Sequence, residues 1–241
     1  MSAERAAIVT GASSGIGLAI ARVLGQEGFA MTVAARRPEK LDDAAKGLAD
    51  EGFDVQAVAA NLSQEDDIKR VVDAHSQRFG RLDVLVNNAG LGFAAGVGDI
   101  TTKWLDMQLN VNLRSIVLFY RECLPLLEHA GSDHRNALVV NTASIAGKRG
   151  APGNAVYSAT KHAVVGWTNS MNGELSSRGI KSTALCPAWV DTPMTDFVKG
   201  EVPAEEMIRP EDVAESVRYL LKVSPACVIP EIMFIRPGDS L

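Results

Sequence analysis

Three residues in the second half of the chain have the types and spacing needed for acid–base chemistry. Tyr157 and Lys161 are four residues apart, which places both side chains on one face of a helix. A nearby ammonium group favours the phenolate, so we expect Lys161 to lower the Tyr157 pKa from about 10. The phenol would then exchange a proton near neutral pH. Ser144, thirteen residues before Tyr157, adds a hydroxyl group that could face the same cleft.

A glycine-rich segment near the start of the chain has the composition of a phosphate-binding loop. Gly11, Gly15 and Gly17 follow the apolar run 6–10 in the segment TGASSGIG. Glycines at a strand-to-helix turn let backbone N–H groups approach a pyrophosphate at the helix N-terminus. The segment therefore predicts a dinucleotide site, although its G-x-x-x-G-x-G spacing differs from the commoner G-x-G-x-x-G pattern.

The end of the second apolar run indicates which dinucleotide would bind. Ala35 stands where a carboxylate would bind the ribose hydroxyls of NAD(H), and Arg36 and Arg37 follow it. Because arginine pairs well with phosphate oxygens, we expect a contact with a 2′-phosphate, and NADP(H) is favoured over NAD(H). The alternative is that the two arginines form only a solvated charge pair before a helix.

Short apolar runs alternate with helical patterns along the whole chain. Strands are predicted at 6–10, 30–35, 54–59, 83–87, 137–142, 181–186 and 231–235, and helices at 15–27, 64–79, 102–128, 154–178 and 210–222. This alternation predicts right-handed crossovers and an α/β, Rossmann-like, doubly wound parallel sheet of about seven strands with helices on both faces. Ligands of such sheets bind beyond the carboxyl ends of the strands. We expect one domain that spans residues 1–241.

Four residues mark where these predicted helices should begin and end. Ser63, with Asp66 three residues later, resembles the capping box of the helix at 64–79. Pro125 should kink or end the helix at 102–128. Gly179 is expected to cap the C-terminus of the helix at 154–178, and Pro210 to open the last helix.

Composition excludes several classes of protein. The 24 basic residues are outnumbered by 29 acidic ones, and the net charge of −5 argues against a nucleic-acid partner. The three cysteines, Cys123, Cys186 and Cys227, are widely spaced, so we expect neither a disulfide framework nor a metal site. The N-terminus lacks the apolar region of a secretory signal, and no uncharged run approaches the roughly 18 residues of a membrane span. We therefore expect a cytoplasmic protein with no membrane partner.

Six motifs of the chain occur in the order typical of one family. They are TGASSGIG, NNAG, NVNL, TASIAG, YSATK and CPAWVDTPM, and with them the chain resembles the short-chain dehydrogenase/reductase family over essentially its whole length. The resemblance implies that Tyr157 is the catalytic acid/base, that Lys161 holds the nicotinamide ribose and that Ser144 binds the substrate oxygen. It also implies that Asn112 holds a water molecule that links Lys161 to solvent. The implied cofactor contacts are Gly11, Ser13, Ser14, Gly15, Ile16, Gly17, Arg36, Arg37, Asn61, Leu62, Asn88, Ala89, Gly90, Tyr157, Lys161, Pro187, Val190 and Thr192.

Three positions depart from the pattern of the family. Asn61 stands where Asp is usual, and Pro187-Ala188 replaces Pro-Gly, which could alter the loop beside the nicotinamide. Ser14 stands where some NADP-dependent members carry a basic residue. Arg36 and Arg37 are therefore left as the main candidates for the phosphate contact.

The resemblance implies an NADP(H)-dependent oxidoreductase that interconverts a carbonyl and an alcohol by hydride transfer. Two alternatives stay open: an NAD(H)-linked alcohol dehydrogenase of the same family, and a regulatory cofactor-binding protein without catalysis. A loop at about 192–209 would cover the substrate, either a small or medium carbonyl compound or a carrier-bound 3-oxoacyl group. Members of the family commonly form tetramers through their long helices, so we expect a homo-oligomer, a tetramer or a dimer.

Overall fold

The computed structural model describes residues 4–200 and 202–239 and arranges them around one twisted parallel sheet. Its seven strands are β1 (Ala6–Thr10), β2 (Ala30–Ala35), β3 (Val55–Ala59), β4 (Val84–Asn87), β5 (Ala137–Thr142), β6 (Ile180–Pro187) and β7 (Glu231–Phe234). The α-helices are α1 (Gly15–Gln26), α2 (Pro38–Asp50), α3 (Glu65–Phe79), α4 (Thr102–Leu109), α5 (Ser115–His134), α6 (Ala155–Leu175) and α7 (Pro210–Lys222). The predicted ranges 1–241 and 192–209 include residues 1–3, 201 and 240–241, which lie outside the described residues.

The strand order confirms the predicted doubly wound sheet. The order is β3-β2-β1-β4-β5-β6-β7, so the direction of winding reverses between β1 and β4. Such a reversal opens a crevice at the carboxyl ends of the two strands, where the crossovers leave in opposite directions.

Two apolar layers cover the two faces of the sheet. Neighbouring residues of β1 illustrate the alternation, because Ile8 packs with α3, α5 and α6, whereas Val9 packs with α1, α2 and α7. Each fully buried aliphatic side chain of this kind contributes about 1.5–3 kcal/mol to folding. Burial on both faces explains why the strands are apolar on successive residues.

Within the described residues, no helix combines the length and apolar content required to cross a membrane.

The predicted cap of α3 is wrong. The helix begins at Glu65, and its N-cap residue is Gln64, which makes no side-chain capping bond. Ser63 does not cap it, because the Oδ1 atom of Asn61 accepts hydrogen bonds from both the N–H and the hydroxyl of Ser63, at 3.3 and 2.9 Å. This local Asx turn takes the hydroxyl that the predicted capping box with Asp66 would have used.

The predicted helix 102–128 is divided, and Pro125 does not end it. The α4 and α5 helices are joined by a π-helical turn at Asn110–Arg114, and α5 continues through Pro125 to His134. Leu127 and Ala130, both beyond the proline, are fully buried against the sheet. Their packing offsets the hydrogen bond that the proline cannot make.

The other helix boundaries agree closely with the sequence pattern. Gly179 has a left-handed φ of 81° after the short 3-10 turn that follows α6, and Pro210 is the first residue of α7. The sequence pattern gave no range for the α2 helix that follows Arg36 and Arg37. It begins at Pro38 and has only three buried residues, at positions 41, 45 and 48.

Gly17 lies at the closest approach between α1 and the neighbouring loops. A Cβ atom at this position would lie 2.4 Å from the carbonyl oxygen of Gly11 and 2.5 Å from the Nδ2 atom of Asn88. Gly47, in the last turn of α2, has open space around the same position. The two helical glycines therefore differ in packing and allow a matched comparison.

We expect Gly17→Ala to lower the free energy of unfolding by about 2–4 kcal/mol, because backbone atoms must move to admit the methyl group. Gly47→Ala should instead raise it by about 0.5–1 kcal/mol, since alanine is the better helix former. Urea unfolding of both variants checks the pair. Equal stability changes in the two variants would contradict the packing argument.

Candidate active site

Parallel pairing brings the carboxyl ends of four central strands to one edge of the sheet. Asn87 of β4 is in register with Asn141 of β5, and Thr142 of β5 with Leu185 of β6. On the other side, Val9 of β1 is in register with Val86 of β4. The glycine loop, the NNAG segment, Ser144 and Pro187 follow or end these strands and meet at this edge.

The glycine loop and the N-terminus of α1 form a cradle suited to an anion. Gly11 and Gly15 have left-handed φ values of 67° and 57°, which other residues rarely adopt. Ser14 is the N-cap residue of α1, yet its side chain makes no capping bond, and the first turn contains no acidic residue. The first N–H groups of α1 are therefore available to the pyrophosphate of a dinucleotide.

The remaining loop residues predicted to contact the cofactor lie around this cradle. Ser13 and Ile16 are half-buried. Thr192 reaches the loop from the other side, because its Cγ2 atom lies 2.9 Å from the place where a Cβ of Gly15 would stand. The structure thus brings Thr192 to the glycine loop from 177 residues away in sequence.

The end of β2 presents cationic side chains and no carboxylate. Ala35 is buried, whereas Arg36 and Arg37 are exposed. Within the described part of the chain, neither arginine makes an ion pair with an acidic side chain. Both guanidinium groups are therefore available to an external phosphate.

Asn61 is less available than the sequence suggests. Its Oδ1 atom accepts from Ser63, and its N–H donates to the Oδ2 atom of Asp67 at 2.7 Å. Leu62 is buried with 5% of its surface exposed. Asp67, which the sequence reasoning missed, orients this turn, and its hydrogen bond from the Asn61 N–H lowers the Asp67 pKa.

Asn88 connects the NNAG segment to the glycine loop. Its Nδ2 atom donates to the carbonyl oxygens of Thr10 and Gly11, at 3.2 and 3.4 Å. The N–H groups of Asn88 and Ala89 both donate to the Thr10 hydroxyl, at 3.0 and 3.1 Å. Thr10 was not predicted as a site residue, although its position directly before Gly11 in TGASSGIG was a usable signal.

Gly90 places the backbone close to two polar groups of the site. A Cβ atom at this position would lie 3.5 Å from both the Oδ1 of Asn112 and the Nζ of Lys161. Asn112 itself is fully buried in the π-helical turn between α4 and α5. Its side chain exchanges hydrogen bonds with the N–H and C=O of Leu91 and donates to the Thr160 hydroxyl. Asn112 thus joins this turn to both the NNAG loop and α6, whereas the predicted role of holding a water molecule stays a prediction.

Ser144 and Tyr157 meet at the end of β5. The Ser144 hydroxyl donates to the Pro187 carbonyl at 3.4 Å and accepts from the N–H of Ala146 at 3.1 Å. Burial raises the Tyr157 pKa, and the nearby Ser144 hydroxyl acts in the opposite direction. The pair is placed to share one proton-accepting atom of a substrate.

The structure does not place the Lys161 ammonium where it would lower the Tyr157 pKa. The Lys161 ammonium donates to the Thr142 carbonyl at 2.7 Å, and Nζ lies 5.6 Å from the centre of the Tyr157 ring. With only 3% of its surface exposed, Lys161 has a pKa lowered to about 8 by burial. The expectation that it lowers the Tyr157 pKa fails, because the ammonium is held at the strand end and the phenol is itself desolvated.

Two aromatic pairs lie on segments that flank Ser144 and Tyr157. Phe93 stacks on Trp104 with ring centres 5.5 Å apart, and the adjacent Gly92 packs beside the Tyr157 ring. On the other segment, Trp189 meets Phe197 edge-on at 6.1 Å. Aromatic rings therefore lie on both segments that lead away from Ser144 and Tyr157.

The predicted substrate loop is tied at its base. Val190 pairs with Ile208, and the N–H of Ile208 donates to the Trp189 carbonyl at 3.0 Å. Val190 is buried, and its predicted contact with the cofactor stays a prediction. Of the apolar loop residues, positions 194 and 197 are exposed, whereas 198 and 207 are buried.

The departure at Ala188 has no conformational cost. Among the described residues, Arg135 is the only residue other than glycine with a positive φ, so Ala188 adopts an ordinary backbone conformation. Its N–H donates to the Phe234 carbonyl of β7 at 2.9 Å. The segment after Pro187 is therefore held against the edge strand without a glycine.

Comparisons with known proteins agree on one family. A family model described as short chain dehydrogenase matches residues 5–202. A putative ketoacyl reductase of the granaticin polyketide synthase of Streptomyces violaceoruber is 35% identical over 258 residues, which cover 98% of this chain and 93% of that protein. A crystal structure of a variant of actinorhodin polyketide ketoreductase with NADPH has a TM-score of 0.88 and 33% identity, with 99% of this chain and 98% of that chain covered. A 3-ketoacyl-(acyl-carrier-protein) reductase from Brucella melitensis complexed with NADH has a TM-score of 0.89 and 28% identity, with 99% of each chain covered.

The buried Lys161 should lower the stability of the fold. A lysine whose pKa falls to about 8 on folding binds its proton less tightly than in the unfolded chain. Below that pKa the penalty is complete, and it disappears as the pH rises from about 8 towards the ordinary value of 10.5.

We expect Lys161→Met to raise the free energy of unfolding near neutral pH by about 1–2 kcal/mol, the lost bond to Thr142 offsetting part of the gain. The variant should also lose the increase in stability above about pH 8. Urea unfolding across this pH range checks both effects, with the exposed Lys46→Met as the control. A Lys161→Met variant less stable than the wild type near neutral pH would contradict the burial argument.

Proposed function

The chain belongs to the short-chain dehydrogenase/reductase family, and on that premise we propose that it is an NADP(H)-dependent oxidoreductase that interconverts a carbonyl and an alcohol. The observation that supports the proposal is the convergence of Ser144, Tyr157 and Lys161 at the strand edge beside the glycine loop. A binding protein without catalysis would not need this set of groups, which favours an enzyme.

The cofactor would lie across the crevice between β1 and β4. Its pyrophosphate would face the N–H groups at the start of α1, where neither a side-chain cap nor an acidic residue competes. Its adenosine end would lie beyond β2, near Arg36 and Arg37. When bound, the nicotinamide ring supplies or accepts a hydride at the substrate carbon.

Tyr157 and Ser144 would handle the substrate oxygen. In the reducing direction, the Tyr157 hydroxyl donates its proton to the oxygen as the carbonyl becomes an alcohol, and in the oxidising direction the phenolate accepts it. The Ser144 hydroxyl donates a hydrogen bond to the same oxygen and stabilises the negative charge that develops there. Lys161, cationic below a pKa of about 8 and held on the Thr142 carbonyl, would donate its remaining N–H groups to the nicotinamide ribose.

The substrate that we favour is the ketone of a 3-oxoacyl chain. The granaticin relative is called a putative ketoacyl reductase, and the Brucella protein a 3-ketoacyl-(acyl-carrier-protein) reductase. The aromatic pairs Phe93–Trp104 and Trp189–Phe197 lie on the segments that flank Ser144 and Tyr157 and would suit an apolar chain or ring. A free ketone of similar size is the alternative, and parallel assays with both kinds of substrate separate them.

Tyr157→Phe should lower turnover of an acetoacetyl thioester by about a hundredfold or more, because the proton donor is removed while the ring is kept. NADPH binding should stay within about twofold of the wild type, since the hydroxyl adds little to cofactor affinity. The measurements are NADPH oxidation and fluorescence titration.

Tyr219→Phe is the matched control, because Tyr219 is 58% exposed on α7 and lies outside the described cleft. Its turnover should equal that of the wild type. Undiminished turnover of Tyr157→Phe would refute the assigned role.

Arg36→Ala should weaken NADPH binding about tenfold or more while changing NADH binding little, because only NADPH carries the 2′-phosphate. Lys46→Ala, which removes an exposed positive charge farther along α2, controls for net charge and should leave both affinities unchanged. Fluorescence titration of each variant with NADPH and with NADH measures the two Kd values. An equal loss for the two nucleotides would refute the phosphate contact and favour the NAD(H)-linked alternative, which the NADH-bound relative also illustrates.

Self-association stays a prediction of the same proposal. The α4 helix exposes Trp104 and Leu109, and the edge strand β7 with the residue after it exposes Met233 and Ile235. These apolar side chains suit contact with a second copy of the chain. We therefore expect a dimer or a tetramer. We also propose that the protein is cytoplasmic, as its sequence predicts.

A further inference from the structure

Thr142, the last residue of β5, makes two contacts that lead to different parts of the candidate site. Its carbonyl accepts the Lys161 ammonium at 2.7 Å. Its hydroxyl donates to the Oδ1 atom of Asn88 at 3.1 Å. Thr142 is 8% exposed, so both contacts are shielded from water.

The second contact continues to the glycine loop. Beyond Thr142, the other end of the Asn88 amide donates to the carbonyls of Thr10 and Gly11. The amide therefore spans the ends of β5 and β1, and the same Nδ2 atom lies against Gly17 of α1. Lys161 is therefore connected to the loop proposed to hold the pyrophosphate through the separate hydrogen bonds of Thr142 and the amide of Asn88.

Only one orientation of the Asn88 amide satisfies these partners. The NH₂ group must face the two carbonyl oxygens, so Oδ1 must face Thr142 and requires a donor there. Among the atoms that reach Oδ1 in the described residues, the Thr142 hydroxyl is the donor. Without it, the amide loses the bond that opposes its rotation, and a half-buried oxygen is left unsatisfied.

We propose that Thr142 is a positioning residue that sets the glycine loop and the catalytic lysine at a fixed distance, through its hydroxyl on Asn88 and its carbonyl on Lys161. This role deepens the proposed function and rests on it, because it supposes that the cleft binds a nicotinamide dinucleotide. The two contacts are separable by mutation, since a side-chain substitution removes the hydroxyl and keeps the carbonyl.

The test compares NADPH affinity in three variants by fluorescence titration. Thr142→Val keeps the shape of the side chain but cannot donate, and its Kd for NADPH should rise about tenfold. Thr142→Ser keeps the donor and should restore the wild-type Kd. At saturating NADPH, kcat of Thr142→Val should stay within about twofold of the wild type, because the carbonyl still holds Lys161.

Thr183→Val is the matched control for a general effect on the sheet. Thr183 is 1% exposed on the neighbouring strand β6, and its hydroxyl donates to the Ile229 carbonyl at 2.7 Å, away from Asn88. Its NADPH Kd should equal that of the wild type even if its melting temperature falls. If Thr142→Val does not fold, Thr142→Ala replaces it, because alanine and serine differ by the one hydroxyl.

The outcomes separate this role from the proposed function. A wild-type protein that binds neither NADPH nor NADH overturns both. A wild-type protein that binds NADPH, with an unchanged Kd in Thr142→Val, overturns the role of Thr142 alone. An equal rise in Thr183→Val, or a Thr142→Ser variant that does not recover, overturns it as well, because the effect would then come from packing.

Discussion

The parallel pairing of the strands is the constraint on which the candidate site depends. Because every strand points the same way, the residues that follow β1, β4, β5 and β6 are delivered to one edge of the sheet. Helices return the chain on both faces and leave that edge free for loops. Segments separated by well over a hundred residues thus become neighbours, as the contact between Gly15 and Thr192 illustrates.

Several polar side chains at this edge are buried and are hydrogen-bonded by groups on the strands and helices below them. Asn141 lies under the site, accepts from the amide of Asn87 and donates to the hydroxyls of Tyr120 and Thr168, at distances of 2.9 Å. Tyr120 in turn donates to Ser182. Among the described residues, the Oδ1 atom of Asn87 is the one atom of this network that lacks a hydrogen-bond partner. The other bonds stiffen the strand ends beneath Lys161, whose ammonium is held in spite of its desolvation.

The burial of Lys161 affects both the stability of the fold and the protonation of the candidate site. The environment that makes the ammonium costly to bury also brings its pKa to about 8, close to the range in which a proton can be exchanged. The same low-dielectric surroundings raise the Tyr157 pKa. Both shifts have the same physical origin, because burial disfavours the charged form of each group.

Much of the fold was predictable from the sequence, because its signals are local. Successive apolar residues predicted strands buried on both faces, and the glycine loop, Ser144, Tyr157 and Lys161 were identified from residue type and spacing. Alternation of strands and helices leaves few topologies, which is why the doubly wound sheet could be predicted. The two errors have different origins. At α3 a competing local turn, in which Asn61 takes the hydroxyl of Ser63, replaces the predicted cap, whereas at Pro125 buried tertiary packing carries α5 through the proline.

The sequence by itself determined the chemical groups, their order and the edge at which they gather. Only the tertiary structure decided how they are connected. It placed the Lys161 ammonium on the Thr142 carbonyl, gave Asn88 its partners in Thr10 and Gly11, and put Asn112 in a π-helical turn. Hydrogen-bond partners and desolvation depend on distances across strands and between layers, and no periodicity along a single chain specifies those distances.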